Sequence, residues 1–317
     1  MAQTFMKKEI HSMTQEQLIR NLQAPAGHVD VILDTDAYNE IDDQFAIAYL
    51  INSQDKATTV GLTAAPFFNQ HSDSPEDGMI KSYEEILNIL RLAGREELCA
   101  SVYEGSRAYL PDEKTPVDSP AARFIVEKAQ EYSVDRPLYV LAIGAITNVA
   151  SAILMDPSIR EKIVVVWLGG HALHFPDTHE FNMMQDVAAA RVVFGCGAPV
   201  VQLPCGGVVD RLTTTGPELD CWLTGKNPLA DYLASHTRQE AESYAKGKPW
   251  SRVIWDVSAV AWLHNHEKRF MDARLERSPI PEYDHHYGFD SRRHFIQYVS
   301  NIHRDGVFED LFTRLTR

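Results

Sequence analysis

Four carboxylates, Asp34, Asp36, Asp42 and Asp43, fall within residues 29–50, which read VDVILDTDAYNEIDDQFAIAYL. The apolar run 29–33 leads straight into the acids, and a helix-like segment, 44–50, follows them. Acids gathered in this way repel one another in a folded site and must be compensated by a cation or by protons. A hard divalent cation is the simplest compensation, because carboxylate oxygens suit calcium or magnesium. Asp34 and Asp36, two apart on an extended chain, are expected to lean to one face. Asp42 and Asp43 open a helix, where the dipole favours anions. Either one alone reads equally well as a helix cap, but capping accounts for too few of the four.

The elements that must position these acids follow from the apolar pattern. Residues 29–33, 58–63, 138–143, 163–168 and 200–203 read as strands, with a shorter one at 98–103. Helices are expected at 13–22 (capped by Ser12 or Thr14), 78–94, 120–132, 148–154 and 187–194. Residues 107–120 hold three prolines and read as a loop. From Gly216 the pattern is mainly helical, at 217–223, 229–244 and 257–263, with a late strand over 293–302 and a last helix over 306–315. The strands lack clean alternation, as expected where both faces are buried. Strand–helix alternation over the first 200 or so residues predicts an α/β fold: a single domain over 29–317, after an extension over 1–28, with an open, mostly parallel central sheet flanked by helices. Ligands bind such sheets at the carboxyl ends of strands. The segments 34–43, Asn69, 144–148 and 171–182 each follow a strand and so converge on one mouth.

Bulk properties narrow the classes. The 317 residues are 44% hydrophobic and 23% charged, ordinary for a soluble globular protein. Acidic residues outnumber basic ones 44 to 30, a formal charge of −14. That argues against nucleic acid or an anionic membrane as partner. The four cysteines form no CxxC pair, and no signal peptide or membrane-spanning run is visible, so free thiols in a reducing cytoplasm are expected.

The stretch Asp34-Thr35-Asp36-Ala37-Tyr38-Asn39-Glu40-Ile41-Asp42-Asp43 resembles the D-x-D-P-G-x-D-D motif of the nucleoside hydrolases, the inosine–uridine-preferring N-ribohydrolases. Both Asp pairs are kept, Pro-Gly is replaced and the spacer is two residues longer, so Asn39 and Glu40 are candidates to enter the site. The strand ending at Ile143 with Gly144-Ala145-Ile146-Thr147-Asn148 is similar to the family's G-x-L-T-N. Glu180-Phe181-Asn182 resembles its E-F-N. Asp186-Val187-Ala188-Ala189-Ala190 resembles D-P-E-A-A, and Trp255-Asp256-Val257-Ser258-Ala259-Val260-Ala261 resembles H-D-P-x-A-V-A.

The resemblance implies a calcium ion held by Asp36, Asp43, the Ile143 carbonyl and Asp256. It implies a ribonucleoside or related riboside gripped by Asp42, Asn69, Glu180 and Asn182, and a homo-oligomer, dimer or tetramer. His174 falls near the position of a residue on the sugar's 5′ side. Asp36 is the expected general base, turning water onto the anomeric carbon through an oxocarbenium-like sugar. In the family a His commonly precedes the last calcium aspartate; here Trp255 stands there, and an indole cannot protonate a leaving base. Trp255 therefore stacks on the base or packs in the core, and His71, His171, His174 and His179 are the candidate replacements. The run 283–287 is either a lid or a polar surface loop. Three readings follow: an active calcium-dependent ribohydrolase, a riboside binder with little turnover, and a phosphotransferase of the haloacid dehalogenase type. The last needs a hydroxyl residue and a small turn after the second Asp, which Ala37-Tyr38-Asn39 does not supply.

Overall fold

The computed structural model of the chain describes residues 13–317. Its strands are β1 (Val29–Thr35), β2 (Ala57–Ala64), β3 (Val102–Tyr103), β4 (Leu138–Ala142), β5 (Ile163–Leu168), β6 (Val200–Leu203), β7 (Thr213–Thr214), β8 (Arg252–Val253), β9 (Met271–Arg277), β10 (Ile280–Pro281), β11 (Tyr287–Gly288) and β12 (Phe295–Ile302). Eight of them form one sheet in the order β3-β2-β1-β4-β5-β6-β12-β9. Every neighbouring pair is parallel except β12 with β9. The molecule is thus a single α/β domain with an open, mostly parallel sheet.

Side chains alternate between two hydrophobic cores. Val31 and Leu33 enter one and Ile32 the other; in β5, Val164, Val166 and Leu168 oppose Ile163, Val165 and Trp167. Both faces are dry, which is why these strands read as unbroken apolar runs. The first helix, α1 (Gln15–Asn21), starts at a capping box: Thr14 accepts from the Gln17 N–H, and the Gln17 side chain accepts from the Thr14 N–H. Ser12, the alternative cap, lies outside the described residues. One face of the sheet is covered by α2 (Asp42–Ile51) and α3 (Pro75–Leu92), and the other by α4 (Pro120–Ala129) and α5 (Thr147–Met155). Ser74 caps α3 with Pro75 at its first position, so that helix begins three residues before the expected 78. Residues α6 (Phe181–Gln185), α7 (Val187–Gly195), α8 (Gly216–Trp222), α9 (Pro228–Ala245), α10 (Val257–Leu263) and α11 (Arg304–Leu315) complete the helices.

Two expectations change. Residues 98–103 are mostly a tight 3-10 turn (Glu96–Ser101), and only Val102–Tyr103 joins the sheet. The segment is acidic and has no buried residue before Val102, so little favours extended pairing. The edge strand β9 went unread: its apolar positions, Met271, Ala273 and Leu275, alternate with charged ones, and Leu275 is exposed.

A buried polar cluster fastens α11 to α2 and α10. The Tyr49 hydroxyl donates to Asp310 at 2.6 Å, Arg314 Nε to Asp310 at 2.8 Å, and the ring of His264 stacks on Tyr49 with its Nε2 3.1 Å from Ser53. Burial, with Arg314 beside it, pushes the His264 imidazole from 6.5 down to about 4. The unfolded chain takes up this proton near pH 6.5 but the native one only near pH 4. The residue therefore lowers stability progressively as pH falls through that window, and has no such effect above it. In denaturant titrations between pH 7 and pH 4.5, His264→Gln is expected to flatten the loss of stability, by up to roughly 1.4 kcal/mol per pH unit.

Candidate active site

Strand order reverses at β1: β2 and β3 lie on one side, β4 to β6 on the other. Connections leaving β1 and β4 in opposite directions open a crevice at their carboxyl ends, the usual ligand position of such sheets. Thr35 is the last residue of β1 and Ala142 the last of β4, so Asp36 and the pair Ile143–Gly144 stand at that crevice. A cavity of about 260 Å³ occupies it. Asp36, Asp42, Asp43, Asn69, Ile143, Glu180, Asn182, Trp255 and Asp256 all line it, together with Asn39 and Glu40 from the longer spacer. The spacer folds as a turn in which the Asp36 carbonyl accepts from the Asn39 N–H at 2.7 Å. Among the described residues, those lining the cavity include His171 and His179 but neither His71 nor His174. His174 instead packs edge-on against Phe175.

The two N-terminal Asp residues part company. Asp34 is wholly buried within β1 and accepts from the Thr63 hydroxyl at 2.6 Å and the Asn148 amide at 2.8 Å. Burial pushes its carboxyl up to about 6. Asn148 also donates to the Ala64 carbonyl and accepts from Ser106, so this pair ties β1, β2 and α5 together below the mouth. Asp36 lies one residue past the strand end and lines the cavity, whose lining does not include Asp34. Gly144 makes its position possible: a Cβ there would come within 2.5 Å of Asp36 Oδ1.

Asp42 and Asp43 are not caps. The cap position of α2 is Ile41, and both acids sit in the first helical turn, buried. Asp42, Asp43 and Asp256 bring one oxygen each within 4.8 Å of one another. Asp43 accepts from the Thr35 hydroxyl and brings a carboxylate oxygen within 4.8 Å of one on Asp256, a carboxyl–carboxyl approach that needs a shared proton or a cation. Burial, and then the charge of Asp43, raises the Asp36 carboxyl well above its usual range; burial and the charges of Asp42 and Asp43 do the same to Asp256. Burial pushes Asp42 up to about 7 against the pull of Arg252. Asp36 Oδ2 and Asp42 Oδ1 are buried without a hydrogen-bond partner among the described residues.

Across the mouth, Glu180 heads α6 and accepts three backbone N–H groups, from Gly170, Asn182 and Met183, at 2.7–2.9 Å. The Asn182 amide donates to the carbonyls of Ile143 and Leu168 at 3.1 and 3.0 Å. Asn69 donates to Asn39 at 2.6 Å, and the backbone N–H of Trp255 donates to Asp42 Oδ2 at 3.2 Å. The β10–β11 hairpin carrying 283–287 clasps the loop 171–180: His285 accepts from the Thr178 N–H, its ring lies 4.2 Å from that of His179, and the Tyr287 hydroxyl donates to the His171 carbonyl.

Sequence reasoning missed two groups here. Arg252, on β8, meets Glu40 at 2.8 Å and Asp42 and Glu240 at 3.5 Å, a fixed cation at the rim of the acidic cluster. Nothing in its local sequence marks it. Cys205 also lines the cavity, and its position just after β6 is the strand-end signal that found the other segments.

The model of the inosine-uridine preferring nucleoside hydrolase family matches residues 31–284. A probable uridine nucleosidase 2 from Arabidopsis thaliana is 27% identical over 231 residues, 64% of this chain and 67% of that protein. The pyrimidine-specific ribonucleoside hydrolase RihA of Enterobacter sp. (strain 638) is 25% identical over 259 residues, 74% of this chain and 78% of the relative. Among solved structures, a purine-preferring ribonucleoside hydrolase from Gardnerella vaginalis superposes with a TM-score of 0.74, at 20% identity, over 90% of this chain and 98% of that one. The chain belongs to the inosine-uridine preferring nucleoside hydrolase family. It is an enzyme of the class that hydrolyses nucleosides to free base and ribose.

Gly144→Ala tests the placement of Asp36. Displacing that carboxylate by about an ångström is expected to lower kcat roughly 100-fold while circular dichroism remains native. Unchanged turnover would show that the close approach has no part in catalysis.

Proposed function

We propose that the chain hydrolyses ribonucleosides with water as nucleophile and calcium as cofactor. The observation that carries this reading is the pair of buried oxygens without a hydrogen bond among the described residues, Asp36 Oδ2 and Asp42 Oδ1 (the latter 3.5 Å from Arg252), in the cavity that also holds Asp43 and Asp256. One guanidinium cannot neutralise so many buried acids, and the donors are all oxygen, as a hard cation requires. Asp36, Asp43, Asp256 and the Ile143 carbonyl, which keeps a lone pair beyond its bond from Asn182, would hold the ion. When bound, such an ion acidifies water and orients a sugar diol.

Asp36 removes the proton of the water attacking the anomeric carbon, its place at the crevice setting it beside both the ion's ligands and the sugar. Asp42, Glu180 and Asn182 grip the ribose hydroxyls, and the carboxylates stabilise the positive sugar that develops. Three backbone N–H groups hold Glu180 rigid for this task. Asn69 and Trp255 face the base. His171 supplies the help that Trp255 cannot. Its Nδ1 accepts from the Gly206 N–H at 3.1 Å, which leaves the proton of the neutral ring on Nε2 as donor to the departing base. The base is pyrimidine in the named functions of the Arabidopsis and Enterobacter relatives and purine in that of the Gardnerella protein, so both belong in the assay.

The direct test measures free ribose from a panel of purine and pyrimidine ribonucleosides, with and without a chelator. Turnover should vanish with the chelator and return with added calcium; ribose release indifferent to chelation would remove the cation from the reaction. Asp36→Ala should abolish turnover. A second reading, riboside binding with little turnover, is favoured by Trp255 in the usual acid's place. Calcium-dependent riboside binding with no ribose from any substrate would select it. The role of His171 separates by leaving group. His171→Ala should lose roughly 100-fold or more on natural nucleosides yet little on a nitrophenyl riboside, whose phenolate leaves unaided. Equal losses on both would assign His171 a structural role only.

A further inference from the structure

The sheet ends on an open edge. β9 is its outermost strand, paired on one side with β12. Along such a strand, successive residues turn their N–H and C=O alternately toward the partner and away from it. The two ends of β9 fix which residues do which. Met271 gives its N–H and C=O to the Asn265 side chain. Past the other end, the Ser278 N–H donates to the His294 carbonyl, on the chain leading into β12. The odd-numbered residues of β9 therefore present their backbone groups to the outside. Among the described residues, no hydrogen bond beyond the β12 ladder reaches the backbone of Ala273, Leu275 or Arg277.

An edge of this kind is a template for another strand, and its side chains decide which strand it accepts. Arg274 and Glu276 share one face, their side chains 56% and 33% exposed, and the Arg274 guanidinium lies over the Tyr298 ring. A second copy of β9 laid antiparallel along the edge has few registers open to it. Centred on Arg274 or on Glu276, like charges stand face to face. Centred on Ala273, the pairing needs the backbone groups of Met271, which Asn265 already holds. Centred on Arg277, it meets Pro279, which has no N–H. Centred on Leu275, all three free residues pair: Leu275 with its own copy, and Ala273 with Arg277 on either side. That same register sets Arg274 opposite the second copy's Glu276, and Glu276 opposite its Arg274. Both pairs fall at the non-hydrogen-bonded positions, where facing side chains come closest. Charge along an edge strand commonly keeps copies apart; here the order of the charges favours one register.

We infer that two copies of this chain join edge to edge through β9, antiparallel about Leu275, so that their eight-stranded sheets become continuous. Five strand spacings, about 24 Å, lie between β9 and β1. The contact therefore leaves the catalytic crevice free, and the inference does not depend on the reaction assigned to it.

Sedimentation equilibrium of the full chain over the micromolar range tests this, with circular dichroism to verify folding. A dimer is expected. Arg274→Glu sets carboxylates against carboxylates across the two-fold axis, and Glu276→Arg sets guanidinium against guanidinium. Each should weaken dimerisation about tenfold or more. The double variant Arg274→Glu/Glu276→Arg restores both pairs and should restore the dimer. Mixing the two single variants should give a heterodimer tighter than either homodimer, a result that a general loss of folding cannot produce. A wild-type chain that stays monomeric throughout overturns the inference. So does a dimer that both single variants leave intact, or one that they weaken and neither the double variant nor the mixture recovers.

Discussion

Mutual repulsion among buried acids sets the terms for the whole mouth. Asp36, Asp42, Asp43 and Asp256 are each at most 4% exposed and line one small cavity. Held out of water without compensation, each charge would cost several kcal/mol. The surrounding fold answers this partly by itself. Asp43 takes the Thr35 hydroxyl, Asp42 takes the backbone N–H of Trp255, and Arg252 reaches the rim. Asp36 Oδ2 and Asp42 Oδ1 still have no hydrogen bond among the described residues, and only the second has a cation near it, Arg252 at 3.5 Å. The cost is borne by a scaffold with two dry cores, because only a sheet packed on both faces holds strand ends rigidly enough to keep like charges together.

The same constraint explains how the acids divide their labour. Asp34 and Asp36 belong to one motif and lie two residues apart. Asp34 accepts from Thr63 and Asn148 on one oxygen, Oδ1, and serves as a rivet between strands; Asp36, one residue past the end of β1, lines the cavity. The difference comes from where the strand stops, not from residue type. Gly144 on the neighbouring strand end completes the division, since only the absence of a Cβ leaves room for the Asp36 carboxylate.

The central architecture was legible because its strands are buried on both faces. Runs such as LYVLAI and IVVVWL admit few other readings, and the acids at their ends follow from the crossover rule. Boundaries governed by local chemistry were less so: Ser74 and Pro75 lengthen α3 beyond its apolar pattern, and the 3-10 turn at Glu96–Ser101 replaces most of a strand. Arg252 was invisible because its importance lies wholly in tertiary contacts, with Glu40 more than two hundred residues away. His174, expected near the sugar's 5′ side, packs edge-on against Phe175 and is not among the residues lining the cavity, a placement set by loop contacts that sequence spacing does not encode.

Arg252 also shapes what the mouth admits. Its one guanidinium faces Glu40 and Glu240 as well as Asp42, so the rim is acidic even before the other three inner aspartates are counted. A phosphate ester approaching along the 5′ side of a sugar brings a charge of about −2 at neutral pH. Against that rim, and a chain of net charge −14, it meets repulsion. An entrance of this kind disfavours a phosphorylated sugar relative to an uncharged one on charge alone, before shape is tested.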